Sequence, residues 1–221
     1  MAVATPKIII LDFDGVIVES NSIKDLAFDR LFRDEPKHHA EIMAYHLAHN
    51  AVDRHEKFRY IAECILHREP TTELLSQWAL QFSKDTRQAI ISCPFVPGAE
   101  DFLRKFHDKI PLYLASATPQ DELDLIVKAR KIRHYFVEVF GAPEKKRVMI
   151  SKVLARESAA PEDCLFVGDS QEDWASAEEM GIGFIGRRGR SEFHSAGFPV
   201  IYDLHDLNKY VSPGFVEAVC A

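Results

Sequence analysis

Apolar residues along this chain fall into two rhythms. Residues 7–11 run Lys-Ile-Ile-Ile-Leu and stop at Asp12. An unbroken apolar run of that length predicts a strand buried on both faces where it leaves a parallel sheet. Similar short runs occur at Leu112-Tyr113-Leu114-Ala115, Cys164-Leu165-Phe166-Val167, residues 182–185 and Val200-Ile201-Tyr202. Between them the apolar spacing turns helical: Leu123, Ile126 and Val127 follow Pro119, a residue suited to an early helix position. Ile150, Val153 and Leu154 mark a second helix, and Trp174, Ala177 and Met180 a third. Strands alternating with helices predict an α/β fold, a parallel sheet joined by right-handed crossovers.

Residues 19–92 break the alternation and read as helices without a strand. Phe58, Ile61, Ala62 and Ile65 fall at helical spacing, and Leu75, Trp78, Ala79 and Phe82 repeat it. A helical block after the first strand predicts an inserted domain. The chain returns through Cys93-Pro94-Phe95-Val96-Pro97-Gly98, whose prolines and glycine suit a hinge.

Composition narrows the function classes. Of 221 residues, 47% are hydrophobic and 28% charged, a globular balance, and the formal net charge is −7. No global basic field exists to draw nucleic acid or an anionic membrane. The basic clusters at 128–134, 145–147 and 187–190 read as solvated loops and helix ends. The early apolar run is too short for a signal-peptide core or a membrane span. Cys64, Cys93, Cys164 and Cys220 lie far apart with no CxxC pair, which argues against a disulfide scaffold or a zinc ribbon and for a reduced cytoplasm.

Ligands of open parallel sheets bind beyond the carboxyl ends of the strands. The segments found there are Asp12-Phe13-Asp14-Gly15, Ser116-Ala117-Thr118, Gly141-Ala142-Pro143-Glu144-Lys145-Lys146 and Gly168-Asp169-Ser170-Gln171-Glu172-Asp173. Carboxylates crowded on one rim need a counter-charge, and Mg²⁺ suits an all-oxygen set completed by water and phosphate. A carboxylate nucleophile, a second carboxyl two residues on, a lysine and a hydroxyl form a set for phosphoryl transfer through an aspartyl-phosphate.

In this order and over almost the whole chain, these segments resemble the haloacid dehalogenase superfamily of phosphohydrolases, in its phosphoglycolate phosphatase and β-phosphoglucomutase branch. The resemblance implies a Rossmann-like parallel-sheet core over residues 1–17 and 95–221 and an all-helical cap over 18–94. It implies Asp12 as nucleophile and Asp14 as general acid and base. Ser116 and the Ala117 amide hold the phosphoryl group, and a lysine steadies it. Lys145 and Lys146 both stand in place; the pattern Gly-x-Pro-x-x-Lys selects Lys146. Mg²⁺ is implied at Asp12, the Asp14 carbonyl and Asp169, with Asp173 orienting the metal or the lysine. Relatives often carry Asn where this chain has Ala117, a lost donor for which Thr118 is the available substitute.

Specificity is expected from the cap, which excludes water and reads the leaving group. Residues 19–24 and 51–57 are expected to face the site, with Lys24, Arg54 and Lys57 as the substrate-reading cations. Arg54 suits a distal phosphate or carboxylate. Lys24 stands where a mutase relative resembles histidine, and a cap lysine is also the Schiff-base position of phosphonoacetaldehyde hydrolases. His38, His39, His46 and His49 read as a polar cap face, with Met43 and Tyr45 packing the helices. The expected activity is therefore Mg²⁺-dependent hydrolysis of a small phosphorylated metabolite. A sugar phosphomutase, a phosphonate hydrolase and a non-catalytic binding protein are the alternatives.

Overall fold

The computed structural model describes residues 6–49, 52–189, 193 and 197–211. Six strands, β1 (Ile8–Leu11), β2 (Leu112–Pro119), β3 (Glu138–Ala142), β4 (Cys164–Gly168), β5 (Gly183–Arg187) and β6 (Val200–Ile201), form one sheet in the order β3-β2-β1-β4-β5-β6. Every pairing is parallel. Ile9 and Leu11 enter a cluster on one face with α5 (Ala99–Phe106), α6 (Gln120–Ala129) and α9 (Leu204–Val211). Ile8 and Ile10 enter another on the opposite face with α7 (Lys146–Glu157) and α8 (Gln171–Glu179). Both sets of alternating side chains are buried, which is why the first strand reads as a continuous apolar run rather than an alternation.

β1 lies between β2 and β4, so the chain leaves it to one side and returns on the other. That switch point opens a crevice at its carboxyl end. Three elements are absent from the sequence reading: β3, an edge strand with two large apolar residues and a glycine, and the eight-residue helices α5 and α9, each too short for a repeated pattern. Pro119 closes β2 and caps α6 instead of entering its first turn.

The interrupting block is helical as expected: α1 (Asn21–Leu31), α2 (His39–Ala48), α3 (Arg54–Tyr60), a wider turn over Ile61–Ile65, and α4 (Thr72–Ser92). Asp53 caps α3 by accepting from the His55 amide at 2.9 Å, and Thr71 caps α4 at the Leu74 amide. The helices share a third apolar cluster built on Phe28, Phe32, Phe58 and Phe82. Phe28 lies 5.5 Å from Phe58 and 5.1 Å from Phe82, centroid to centroid, within the range for favourable aromatic pairs. Val18, at the outgoing linker, bridges to Phe95 on the returning one. Among the described residues no helix is long and apolar enough to cross a membrane.

Candidate active site

Asp12 follows β1 directly and is 5% exposed. Lys146 begins α7, and its Nζ donates to Asp12 Oδ1 at 3.0 Å and also to the Asp173 carboxylate. Lys145 instead reaches outward to Glu56 at 3.2 Å, with both side chains more than half exposed. The lysine of the site is thus Lys146. Asp169 follows β4, and Asp173 stands in the first turn of α8. Asp173 and Ser170 cap that helix reciprocally, each accepting from the other's amide at 3.2 Å. One carboxyl thus seats the helix and the lysine together. Two glycines permit this closeness: a Cβ on Gly15, at φ +75°, would stand 2.1 Å from Asp169 Oδ2, and one on Gly168 would stand 2.5 Å from Asp173.

Carboxylate oxygens of Asp12, Asp169 and Asp173 lie within 4.8 Å of one another, all buried. Burial pushes the Asp12 carboxyl well above the ordinary carboxylate range; Lys146 pulls it down, and Asp173, Asp169 and Asp14 push it up again. The cluster is therefore short of positive charge. Its oxygen-only donors fit a hard divalent ion such as Mg²⁺. Asp173 is already engaged by Lys146 and by its own helix, so it fits the lysine-orienting role expected of it. Asn21 Nδ2 donates to Asp169 Oδ2 at 2.6 Å, a contact the sequence reading did not assign.

Asp14 sits among donors. Lys24 Nζ reaches its Oδ2 at 2.5 Å and Ser20 Oγ its Oδ1 at 2.6 Å, with Thr118 Oγ1 at 3.3 Å and Ser116 Oγ at 3.4 Å. Burial pushes this carboxyl up, but the charge of Lys24 and the hydrogen bonds of Lys24, Ser20 and Thr118 outweigh it and hold Asp14 below its usual range. Ser116 is fully buried and accepts from the Thr118 amide at 3.1 Å. Ala117 lines the cavity above Asp12. Thr118 does not take over the donor that Ala117 lacks: its hydroxyl is engaged by Asp14 and Lys24.

That cavity measures about 50 Å³. From the core it is lined by Asp12, Asp14, Ala117, Lys146, Asp169 and Ser170; from the cap, by Asn21, Lys24, Arg54, Lys57 and their neighbours. All three cap cations expected from sequence therefore meet the core residues. Arg54 is not a loose surface arginine: its Nη1 donates to Ser83 Oγ at 2.6 Å and pairs with Glu122 Oε2 at 2.8 Å. Its guanidinium carbon lies 4.7 Å from the Phe82 ring centroid. Lys57 is 3% exposed, with Nζ 5.6 Å from the Phe28 centroid. Ala51, in the same expected loop, lies outside the described residues.

Several bland sequence readings are corrected. His46 is buried, stacks on Phe28 at 3.8 Å and bonds Asp25 at 2.8 Å, so it belongs to the cavity wall and not to a polar face. Arg130, in the 128–134 cluster, caps α4 instead of facing solvent, donating to the Ile90, Ile91 and Cys93 carbonyls at 2.8–2.9 Å. Arg187, at the end of β5, donates to the Gly15 carbonyl at 3.1 Å and forks onto Glu19 at 2.6 and 3.2 Å. The two arginines thus hold the two linkers between sheet and helices. In sequence they look like any solvated cation, because their partners are mostly backbone carbonyls that no motif advertises. Arg190 and Cys220 lie outside the described residues.

The chain is similar to known proteins over most of its length. The haloacid dehalogenase-like hydrolase family model matches residues 9–187. A phosphoglycolate phosphatase of Pseudomonas putida is 24% identical over 188 residues, 82% of this chain and 69% of the relative. A structure described as a predicted phosphoglycolate phosphatase from Haemophilus somnus superposes with a TM-score of 0.77 at 19% identity, covering 95% of this chain and 99% of the other. The structure of CbbY from Rhodobacter sphaeroides in complex with phosphate superposes with a TM-score of 0.69 at 16% identity, over 95% of this chain and 96% of the other. With the family model spanning most of its length and the strand-end carboxylates and lysine gathered as that fold requires, the chain belongs to the haloacid dehalogenase-like hydrolase family and is an enzyme of the phosphatase kind.

Proposed function

We propose that this enzyme hydrolyses a small phosphate monoester carrying a second anionic group, of which phosphoglycolate is the model, through an aspartyl-phosphate on Asp12. The observation that carries the reading is the charge lining of the cavity: Lys24, Arg54, Lys57 and Lys146 face Asp12, Asp14 and Asp169. The charged side chains that the helical block contributes to this lining are all cations, Lys24, Arg54 and Lys57. A divalent ion at Asp12, the Asp14 carbonyl and Asp169 would add two positive charges and neutralise the phosphoryl oxygens. Cations on the side away from Asp12 suit one further negative group beyond the phosphate, and the small cavity suits a short molecule.

In the first step an Asp12 oxygen attacks phosphorus, the bond to the leaving oxygen breaks, and Asp14 supplies that oxygen with a proton. In the second, Asp14 takes a proton from water, the water oxygen attacks phosphorus, and the Asp12–phosphorus link breaks to release phosphate. Lys146 holds Asp12 and the phosphoryl charge, while Ser116 and the Ala117 amide support the transferring group. The proton that Asp14 gives to the leaving oxygen is the one it takes from water in the second step, so the cycle balances, and Lys24 donates to Asp14 while it is ionised. A Schiff base on Lys24 is disfavoured because its amine is engaged by Asp14 and Thr118. We take residues 18–94 as the cap and 1–17 with 95–221 as the core, in keeping with the separate apolar cluster of the helices.

Purified protein against a panel of phosphate esters, with and without Mg²⁺, tests this. Phosphate release highest on short anionic esters supports the proposal. Multiple turnovers that interconvert phosphosugars without net phosphate release would favour a mutase and contradict it.

A further inference from the structure

Arg54 forms a wall between two spaces. On one side lies the cavity above Asp12; on the other, an open cleft that Ser83 and Glu122 also line. Arg54 and Ser83 ride on α3 and α4 of the cap, whereas Glu122 belongs to the first turn of α6 in the core. The three meet at one point. Arg54 Nη1 donates to Ser83 Oγ, Ser83 Oγ donates to Glu122 Oε2 at 2.8 Å, and Nη1 lies 2.8 Å from that same oxygen. Both charged residues are more than nine-tenths buried, at 6% and 8% exposure.

A buried guanidinium needs a carboxylate partner, and removing one member of such a pair strands the other. The amino end of α6 favours a negative charge where Glu122 stands. The contact is nevertheless single-point rather than a two-pronged fork. Glu122 Oε1 has no hydrogen-bond partner, and Nη2 and Nε of Arg54 carry no hydrogen bond to a described residue. Glu122 thus seats the guanidinium from behind while leaving the rest of its fork for a planar anion. Because the pair joins the helical block to the core, any movement of one away from the other would break the seat.

We propose that Glu122 is a positioning residue for substrate specificity: through Ser83 and Arg54 it makes closure of the cap and capture of the substrate's second anionic group a single event. The proposal rests on the reading of Arg54 as an anion reader. Neither Glu122 nor Ser83 touches the reacting atoms.

The test compares kcat/KM for the anionic ester that the wild-type enzyme turns over best with that for p-nitrophenyl phosphate. Glu122→Ala is expected to lower the first by about tenfold, mainly through KM, the scale of one hydrogen bond to a charged group, with the second within about twofold of wild type. Glu122→Gln keeps an acceptor for Nη1 and should restore the anionic ester to within about threefold of wild type. Arg54→Ala combined with Glu122→Ala should be no worse than Arg54→Ala alone. Should Glu122→Ala fail to fold, Ser83→Ala carries the same test, with the same substrate selectivity and a smaller loss. Equal losses on both substrates, no rescue by Gln, or additive losses in the double variant would overturn the proposal. A wild-type protein that turns over no ester contradicts the phosphatase reading instead.

Discussion

The two walls of the cavity are built differently. On the core side each functional residue belongs to a strand or the segment that follows one, so the sheet's backbone fixes it: Asp12 after β1, Ser116 within β2, Lys146 after β3, Asp169 after β4. On the cap side the cations ride on helices and take their seats by pairing across the boundary, Lys24 with Asp14 and Arg54 with Glu122. The core wall takes its places from the sheet, with Ser20, Asn21 and Lys24 bonding onto Asp14 and Asp169; the cap wall takes its places from contacts with the core. Chemistry common to many substrates belongs on the first, and discrimination among them on the second.

The largest effect belongs to the core wall. Asp12→Asn keeps the size but removes the nucleophilic charge, and turnover should fall by at least ~10³-fold on every substrate, as loss of a covalent catalyst does. Turnover within tenfold of wild type, in protein purified free of host phosphatases, would break the covalent account. Metal removal comes next. Chelation should abolish activity and Mg²⁺ restore it, because the Asp12, Asp169 and Asp173 cluster lacks positive charge. Activity that survives exhaustive chelation would remove the metal from the core wall.

Much of that wall was legible in the sequence. Lys146 is distinguished from Lys145 by the Gly-x-Pro-x-x-Lys pattern of the family the chain resembles, and Asp169 by the strand that precedes it. The helical insert announced itself through Phe58 and Phe82, whose repeats are long enough to show their period. The edge strand β3 and the short helices α5 and α9 were not legible, since five to eight residues with charged positions leave too little pattern. Nor were Glu122, Arg130, Arg187 and the bond from Asn21 to Asp169, although residues 19–24 were expected at the site. Their partners lie 39 to 172 residues away in the chain or are backbone carbonyls, so only the folded arrangement connects them.

Arg187 sharpens the comparison from the boundary. It holds Gly15, next to Asp14, and Glu19, next to Ser20 and Asn21, which in turn bond Asp14 and Asp169. Arg187→Met should therefore act like a core change: kcat down about tenfold on anionic and generic esters alike, the scale of lost charge-assisted bonds, with a higher Mg²⁺ requirement. A loss confined to the anionic ester would move Arg187 to the cap's side of the account. The smallest effect is chemical. Cys64 on the cap is exposed, while burial pushes the Cys164 thiol in the core up to about 12. At neutral pH a thiol reagent should label Cys64 and spare Cys164, with little change in turnover. Equal labelling of both, read by mass spectrometry, would mean the apolar cluster beneath the sheet is more open than its burial implies.

The most direct measurement crosses the two walls: kcat/KM for an anionic ester such as phosphoglycolate and for p-nitrophenyl phosphate, in Arg54→Ala and in Lys146→Ala. Arg54→Ala should lose ~1.5–3 kcal/mol more on the anionic ester than on the generic one, the range for a hydrogen bond to a charged group. Lys146→Ala should impair both esters alike, because it touches Asp12 and Asp173 and nothing of the leaving group. Equal losses on both esters for Arg54→Ala would contradict the division of chemistry to the core and specificity to the cap.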